Sequence, residues 1–499
     1  MLPLKQCFLM SNVFENAILG HVSGKPFAHK AVQEVLPTEG FVTAIEEITQ
    51  WEGYTPTPLF NLQELAASLA LDKLMYKDEG LRFGLGSFKA LGGSYAALRV
   101  LQRQISNLLD RKVSLRDIRL GKYSKEAAEI TMVSATDGNH GRSLAWGCQR
   151  FGVPCKIYIH AKVSEERSSA MRNFGAEVIR INGTYDDSVE FARIEADKNK
   201  WIVVSDTSWP GYFEPPRDVM LGYGVLTSEI NEKLTRAPTH IFLQSACGGF
   251  AASVASALRH FWGDQTPRVV IVESELAACL FECAKANKLT SVRIKEETIM
   301  AGLSCGEPSD MAWEVLSEEA SDFITIPDNI VPPTVRLLAC PEGNDPVIKA
   351  GGSAVAGLAV LVCASKQPGL REKLGLDKNS RVLLIGTEGV TDTEIFDQGN
   401  NFANDTFTAP VTGRYLIAAS VRIDGVTADS RVSNCEFISS NRQWGSYMQL
   451  GADPYVSPAG NRNVAIIDMD INDTLTVVLT DGGESGNVHD IGGGATHPT

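Results

Sequence analysis

Four short stretches hold the residue types from which a catalytic centre could be built. In Gly86-Ser87-Phe88-Lys89-Ala90-Leu91-Gly92-Gly93 a lysine stands where a helix begins. The positive end of the helix dipole disfavours an ammonium there. An amine used as a nucleophile gains from that placement and from burial, because its pKa falls, and Schiff-base chemistry needs such an amine. In Ser134-Ala135-Thr136-Asp137-Gly138-Asn139-His140-Gly141, small and polar residues separate a strand from a helix. Backbone N–H groups in such a turn can meet an anion. Asn139 can hydrogen-bond a phenolate or carbonyl oxygen, and Asp137 is a candidate acid or base. Gln244-Ser245-Ala246-Cys247-Gly248-Gly249-Phe250-Ala251-Ala252 carries a buried strand through a small-residue loop into a helix. Backbone amides cradle phosphate in this way. No Gly-Lys-Ser/Thr follows, so it is not a Walker loop, and it is not a dinucleotide fingerprint. Finally, Leu383-Leu384-Ile385-Gly386-Thr387-Glu388-Gly389 ends a strand in a threonine. Its neutral hydroxyl can partner a pyridine nitrogen without protonating it.

The elements that must position these residues alternate. Strands are expected at Lys73–Lys77, Glu129–Ala135, Cys155–His160, Glu177–Ile181, Trp201–Ser205, His240–Ser245, Val269–Glu273 and Arg381–Ile385. Helical patterns fall between them, at Leu91–Ser106, Gly141–Phe151, Ser164–Phe174, Ser188–Asn199, Ala252–Phe261 and Ser353–Ser365. Strands separated by helices of this length imply βαβ units, a parallel sheet, and ligands beyond the carboxyl ends of the strands.

After about Asp397 the chain changes character. The last lysine is Lys378, and Phe396–Thr499 holds 12 acidic residues and 5 arginines, a net charge of −7. The pattern there is short alternating strands, at Phe407–Thr408, Gly413–Ile423, Ser446–Leu450, Val464–Met469 and Thr474–Thr480, which reads as an all-β module. The boundary is expected near 393–400, with no Pro- or Ser-rich linker.

The whole chain has 499 residues, 44% hydrophobic and 21% charged, a globular composition that excludes disorder or coiled coil as the main architecture. Its net charge of −14 argues against a nucleic-acid footprint and fits a cytoplasmic protein. No apolar run is long enough to span a bilayer, and the first residues lack the pattern of a secretory signal. None of the ten cysteines forms a CxxC pair, so no metal site or disulfide framework is expected. Cys247 reads first as a small loop filler and second as a reactive thiol at a helix N-terminus. His489 and His497 read as part of a solvated tail.

A lysine amine, an asparagine loop, a phosphate cradle and a late hydroxyl, in that order, suit pyridoxal phosphate. The first module resembles the fold-type II pyridoxal-phosphate enzymes, the tryptophan synthase β and threonine dehydratase group. It is most similar to the diaminopropionate ammonia-lyases. The resemblance runs from about residue 40 to 393. It rests on Tyr54-Thr55-Pro56-Thr57-Pro58-Leu59, Lys77-Asp78-Glu79, Arg82-Phe83-Gly84-Leu85, Asp137–Arg142, Asp206-Thr207-Ser208-Trp209, Thr298–Ser309, Gly343-Asn344-Asp345-Pro346 and Thr387-Glu388-Gly389. The phrase TIMAGLSCGEPS points to this lyase rather than to the broader group.

The resemblance implies an α/β, two-subdomain open twisted sheet over residues 1–395, with a small subdomain at about 90–205 inserted in the large one. It implies Lys89 as the Schiff-base lysine, Asn139 against the ring hydroxyl oxygen, and Ala246, Cys247, Gly248 and Gly249 around the phosphate. Thr387 would face the ring nitrogen. Asp137 would serve as base for the D-isomer and Lys89 for the L-isomer, with Asp206 a second active-site aspartate. The reaction implied is α,β-elimination of a small amino acid, 2,3-diaminopropionate, to pyruvate and two ammonia. Either aspartate could protonate the leaving amine. The chain departs from the family at Gly351-Gly352-Ser353-Ala354, where a carboxylate is usual at 352, at Ala246-Cys247-Gly248-Gly249, and at Pro210.

Phe396-Asp397-Gln398-Gly399-Asn400-Asn401-Phe402 and FTAPVTGRYL resemble the jelly-roll heads of complement and tumour-necrosis-factor relatives. That resemblance implies a C-terminal jelly roll at 396–499 lacking its last strand, with an exposed edge. The lyase resemblance implies a dimer and the jelly roll a trimer. Two other functions fit the same residues: a serine or threonine dehydratase, and an assembly or binding protein whose lyase module is degenerate.

Overall fold

The computed structural model describes residues 12–136, 138–341 and 343–390, and the backbone of eight strands between 402 and 491. Asp137, His489, His497 and the boundary expected near 393–400 lie outside the described residues. The chain divides into two compact units, Met1–Asp392 and Thr393–Thr499.

The first unit holds two sheets. The larger has the order β1-β10-β9-β8-β11-β3-β2. Its interior is parallel: β3 (Lys73–Asp78), β8 (His240–Gln244), β9 (Arg268–Ser274), β10 (Ala320–Ile326) and β11 (Arg381–Gly386). Two short antiparallel strands close its edges, β1 (Gly20–Ser23) and β2 (Leu59–Asn61). The smaller sheet is parallel throughout, in the order β6 (Glu177–Arg180), β5 (Cys155–Ile159), β4 (Met132–Ala135) and β7 (Ile202–Val203).

All eight strands read from the sequence of this unit are present. Three were missed. β1 and β2 are edge strands of four and three residues without an apolar run. β10 follows the Asp310–Glu319 helix directly, with Ala320 as its cap, so no turn residue announces it. The six helical patterns also appear, at Lys89–Leu108, Asn139–Phe151, Glu165–Arg172, Tyr185–Asn199, Gly249–Trp262 and Ala356–Lys366.

The largest omission is the 20-residue helix Glu214–Lys233, which opens on Pro215 and Pro216 and is buried along most of its length. It crosses the Lys89–Leu108 helix backbone against backbone. A Cβ at Gly222 would stand 2.6 Å from the Leu91 carbonyl, and one at Gly92 would run into the Tyr223 ring. On the next face, a Cβ at Gly147 would lie 2.6 Å from the Ser94 Cα, and one at Gly93 would lie 2.8 Å from the Ser143 hydroxyl. Gly92 and Gly93 are therefore glycines because two helices press on the lysine's helix from two sides.

Beneath this crossing sits a buried set of four charges. Arg82 donates twice to Glu79, at 2.7 and 2.8 Å, and twice to Glu229, at 2.6 and 2.8 Å. Lys77 Nζ lies 2.5 Å from Glu229 and donates to the Thr57 carbonyl at 2.7 Å. Tyr54 and the Thr57 backbone donate to Glu229 as well. All four charged side chains are at most 4% exposed.

In the second unit, five strands are ordered β12 (Phe402–Ala403), β13 (Thr406–Thr408), β18 (Thr474–Asp481), β15 (Val432–Ser439) and β16 (Gln443–Gln449). Three more are ordered β17 (Ala459–Met469), β14 (Gly413–Asp424) and β19 (Asp490–Ile491). Every pairing within both groups is antiparallel. β12, β15 and β19 were not read from the sequence. Among the described residues no helix is long and apolar enough to cross a membrane.

Removing one partner of the buried charge set strands the others away from water. Glu229→Ala is expected to lower unfolding stability by about 3–5 kcal/mol, read from the urea midpoint. A loss below about 1 kcal/mol would mean that the four charges are not acting as a unit.

Candidate active site

The carboxyl ends of β3, β4, β8 and β11 all feed the same pocket. Its wall includes Phe88, Lys89, Asn139, Asp206, Tyr223, Gln244, the run from Ser245 to Phe250, Gly302, Leu303, Ser353, Thr387 and Glu388. The structure thus brings together Lys89, Asn139, Asp206, Ala246, Cys247, Gly248, Gly249 and Thr387. Asp137 lies outside the described residues.

The loop before Lys89 is fastened to the end of β11. Ser87 bridges to Glu388, the Phe88 N–H donates to the Thr387 carbonyl at 3.0 Å, and the Gly389 N–H donates to the Gly86 carbonyl at 2.9 Å. Gly86 has φ +78°, which a glycine adopts without strain. Lys89 then opens its helix with Nζ 2.8 Å from Asp206 Oδ2. His140 Nδ1 stands 3.9 Å from the same oxygen, while its Nε2 meets the Val204 carbonyl at 2.9 Å.

Burial and helix placement are expected to lower the Lys89 pKa. The structure corrects that expectation. Burial does disfavour the ammonium, but the Asp206 carboxylate outweighs it and holds Lys89 above its ordinary range. Asp206 moves the other way. Burial works against its charge, and Lys89 and His140 overcome this to hold the carboxyl below the usual range. The side chains are 24% and 20% exposed, so the pair stays in reach of the pocket.

The Ser245–Gly249 loop ends β8 and leads into the Gly249–Trp262 helix. Gly248 has φ +103°, and a Cβ there would meet Ala312 at 2.8 Å. The first turn of a helix leaves N–H groups without intrahelical partners. The Ser245 hydroxyl is buried in the same loop with no protein partner. These groups make a cradle for an anion. Thr387 Oγ1 accepts a hydrogen bond from Gln244 Nε2 at 2.9 Å. Its own hydrogen remains for an uncharged acceptor such as a ring nitrogen. The amine, the cradle, the amide and the hydroxyl therefore fit pyridoxal phosphate.

Residues 50–388 match the family model for pyridoxal-phosphate dependent enzymes. The diaminopropionate ammonia-lyase of Escherichia coli K12 is 39% identical over 352 residues, covering 68% of this chain and 86% of that protein. The chain belongs to the diaminopropionate ammonia-lyase family. The crystal structure of the Escherichia coli enzyme with D-serine superposes with a TM-score of 0.70 at 34% identity, over 77% of this chain and 98% of that one. The complex with an aminoacrylate–pyridoxal-phosphate azomethine intermediate gives a TM-score of 0.69 over the same shares.

Some residues of the family stretches prove to be structural. Asp345 of Gly343-Asn344-Asp345-Pro346 caps the Gln63–Ser68 helix, accepting from the N–H groups of Glu64 and Leu65 at 3.2 and 2.9 Å. Thr298 opens the TIMAGLSCGEPS phrase and donates to Asp328 at 2.5 Å. The departure at Pro210 falls in a turn with Gly211 at φ +86°, where Trp209 stacks on Tyr212 at 4.0 Å between ring centroids. Pro210 is not among the residues lining the pocket.

Nine wall residues were not singled out from the sequence, Tyr223, Gln244, Ser353 and Glu388 among them. Tyr223 comes from the helix that was missed. Gln244, Ser353 and Glu388 lay inside the stretches quoted, but nothing in their spacing marked them. The Cys247 Sγ lies 3.9 Å from the Asp206 carbonyl. A hydrogen bond from the Cys305 thiol, set against burial, lowers the Cys247 pKa to about 7.

Iodoacetamide labelling of Cys247 in the cofactor-free protein should therefore rise with pH around a midpoint near 7. Cys283, pushed up to about 11 by burial, should label only at much higher pH. Bound pyridoxal phosphate should slow the Cys247 reaction. Peptide mass spectrometry reads both sites. A Cys247 midpoint near the ordinary thiol value of about 8.5 would contradict the lowered pKa.

Proposed function

We propose that the first unit removes both nitrogens from 2,3-diaminopropionate by pyridoxal-phosphate dependent α,β-elimination, giving pyruvate and two ammonia. The observation that carries this is the meeting of Lys89 and Asp206 in a pocket walled by the Ser245–Gly249 cradle, Asn139 and Thr387. Membership of the lyase family favours this substrate over the serine or threonine dehydratase alternative and over a degenerate scaffold.

Ala246, Cys247, Gly248 and Gly249 would hold the phosphate with backbone N–H groups. Asn139 would meet the ring hydroxyl oxygen, and Thr387 would donate to the ring nitrogen. Pyridoxal phosphate joined to Lys89 would supply an electron sink for the charge left at the α-carbon. Lys89 takes the α-proton of the L-isomer, and Asp137 that of the D-isomer. Asp206 holds the Lys89 ammonium in place, and the β-nitrogen, arriving as an ammonium, leaves as ammonia with protons it already carries. The carbon–nitrogen bond at the β-carbon breaks as the α-proton is lost. Water then hydrolyses the released aminoacrylate to pyruvate and the second ammonia.

The finer assignments belong to the same proposal. The chain divides into a lyase domain at 1–395, with its small subdomain at about 90–205, and a jelly-roll head at 396–499. Two groups of antiparallel strands and the FTAPVTGRYL phrase support the head. Free thiols at eight cysteines and the net charge of −14 support a reducing, cytoplasmic setting. A homo-oligomer is expected, and light scattering on the full chain separates a dimer set by the lyase domain from a trimer set by the head.

Pyruvate release from D- and L-2,3-diaminopropionate, D-serine and L-threonine tests the activity. Diaminopropionate should be turned over, and Lys89→Ala should lose at least about 10³-fold. Turnover of serine or threonine alone would support the dehydratase, and a colourless, inactive protein the scaffold.

A further inference from the structure

Among the described residues two carboxylates face the pocket, and only one has a cation. Asp206 is paired with Lys89 at 2.8 Å. Glu388 is 7% exposed and forms no ion pair among the described residues. Neutral donors hold it. Asn139 Nδ2 donates to Oε2 at 2.9 Å, and the Ser353 hydroxyl and backbone N–H supply the others. Burial raises its carboxyl, and Arg167 offsets this only from a distance. A buried carboxylate without a counter-ion is unfavourable until a cation reaches it.

Glu388 lines the pocket beside Gly302 and Ser353, and glycine backbone packs close to its carboxylate: a Cβ at Gly302 would stand 3.8 Å from Oε2, and one at Gly351 2.9 Å from Oε1. Gly352, where the family commonly has a carboxylate, adjoins this wall. Glu388 also sits opposite Ser87 in the bridge two residues from Lys89. It is thus close in the chain fabric to the amine that would carry the substrate.

We propose that Glu388 determines specificity by receiving the second ammonium of the substrate, so that the site selects a β-amino over a β-hydroxy amino acid. The inference rests on the lyase reading above and names the residue that would make diaminopropionate its preferred substrate. Serine offers a neutral hydroxyl at the same position and leaves the Glu388 charge unmatched. 2-Aminobutyrate, with a methyl in place of the ammonium, has the same shape and no charge.

The test uses the full-length holoenzyme and Glu388→Gln, whose amide oxygen can still accept from Asn139. The ratio of kcat/KM for diaminopropionate to that for D-serine should fall by about 10- to 100-fold in the variant. An unchanged ratio overturns the proposal. So does an equal loss on both substrates together with weakened pyridoxal-phosphate binding, which would make Glu388 a positioning residue for Asn139.

Should the variant fail to fold, the wild type alone decides. Competition against D-serine turnover should show 2-aminobutyrate binding at least about tenfold more weakly than diaminopropionate, and equal binding overturns the proposal. Failure of the lyase reading looks different. No pyruvate would form from either substrate, and no lysine-bound cofactor band would appear in the visible spectrum.

Discussion

The fold around the pocket depends on the burial of Lys77, Glu79, Arg82 and Glu229. Two positive and two negative side chains are taken out of water together, and their charges sum to zero. Each carboxylate accepts several charge-assisted bonds, and Arg82 spans both with its planar fork. In a low dielectric such a set is tolerable only when every member is in place. The set joins β3, the segment at Tyr54 and Thr57, the turn at Arg82 and the Glu214–Lys233 helix. Those are the parts that fix the start of the Gly86–Lys89 loop from below. The far side of the loop is held by β11 through Thr387, Glu388 and Gly389.

The pocket then works by difference. Lys89 and Asp206 satisfy each other, so the reactive amine waits in its charged form and in a fixed place. Glu388 is held by uncharged groups, so its charge is available to whatever enters. The Ser245–Gly249 loop offers N–H groups that the helix cannot use itself. Three kinds of electrostatic demand therefore converge on one small volume: a cation already paired, an anion held by neutral donors with no counter-ion among the described residues, and a set of dipoles awaiting a partner.

Much of this was legible in the sequence where chemistry and periodicity coincide. Lys89, Asn139, the cradle and Thr387 each follow a strand whose apolar run is plain, so their convergence could be expected from the parallel sheet alone. The Glu214–Lys233 helix was not legible, because its burial on nearly all sides removes the amphipathic period that marks a helix. Tyr223 went unseen with it. β10 was hidden because a helix runs into it without a turn. The sign of the Lys89 shift could not be read either. Placement at a helix N-terminus is a local fact, whereas Asp206 arrives from 117 residues away in the chain. In the same way, Asp345 belongs to a family stretch and proves to be a helix cap, since a motif does not say which of its residues touch ligand.

The glycine crossings on the Lys89–Leu108 helix have one more consequence. Side chains in a core can change rotamer to absorb a small change in a neighbour, but backbone pressed on backbone has no such slack. The helix is gripped in that way on two faces, by Gly222 against Leu91 and Gly92 and by Gly147 against Ser94, with Gly93 against Ser143 and Leu144. The height and angle of its first residue are therefore inherited from main-chain geometry rather than from the fit of surrounding side chains. Sequence drift elsewhere in the core can proceed while the amine stays put, and the immobility of four residues with no side chain is what permits the rest to vary.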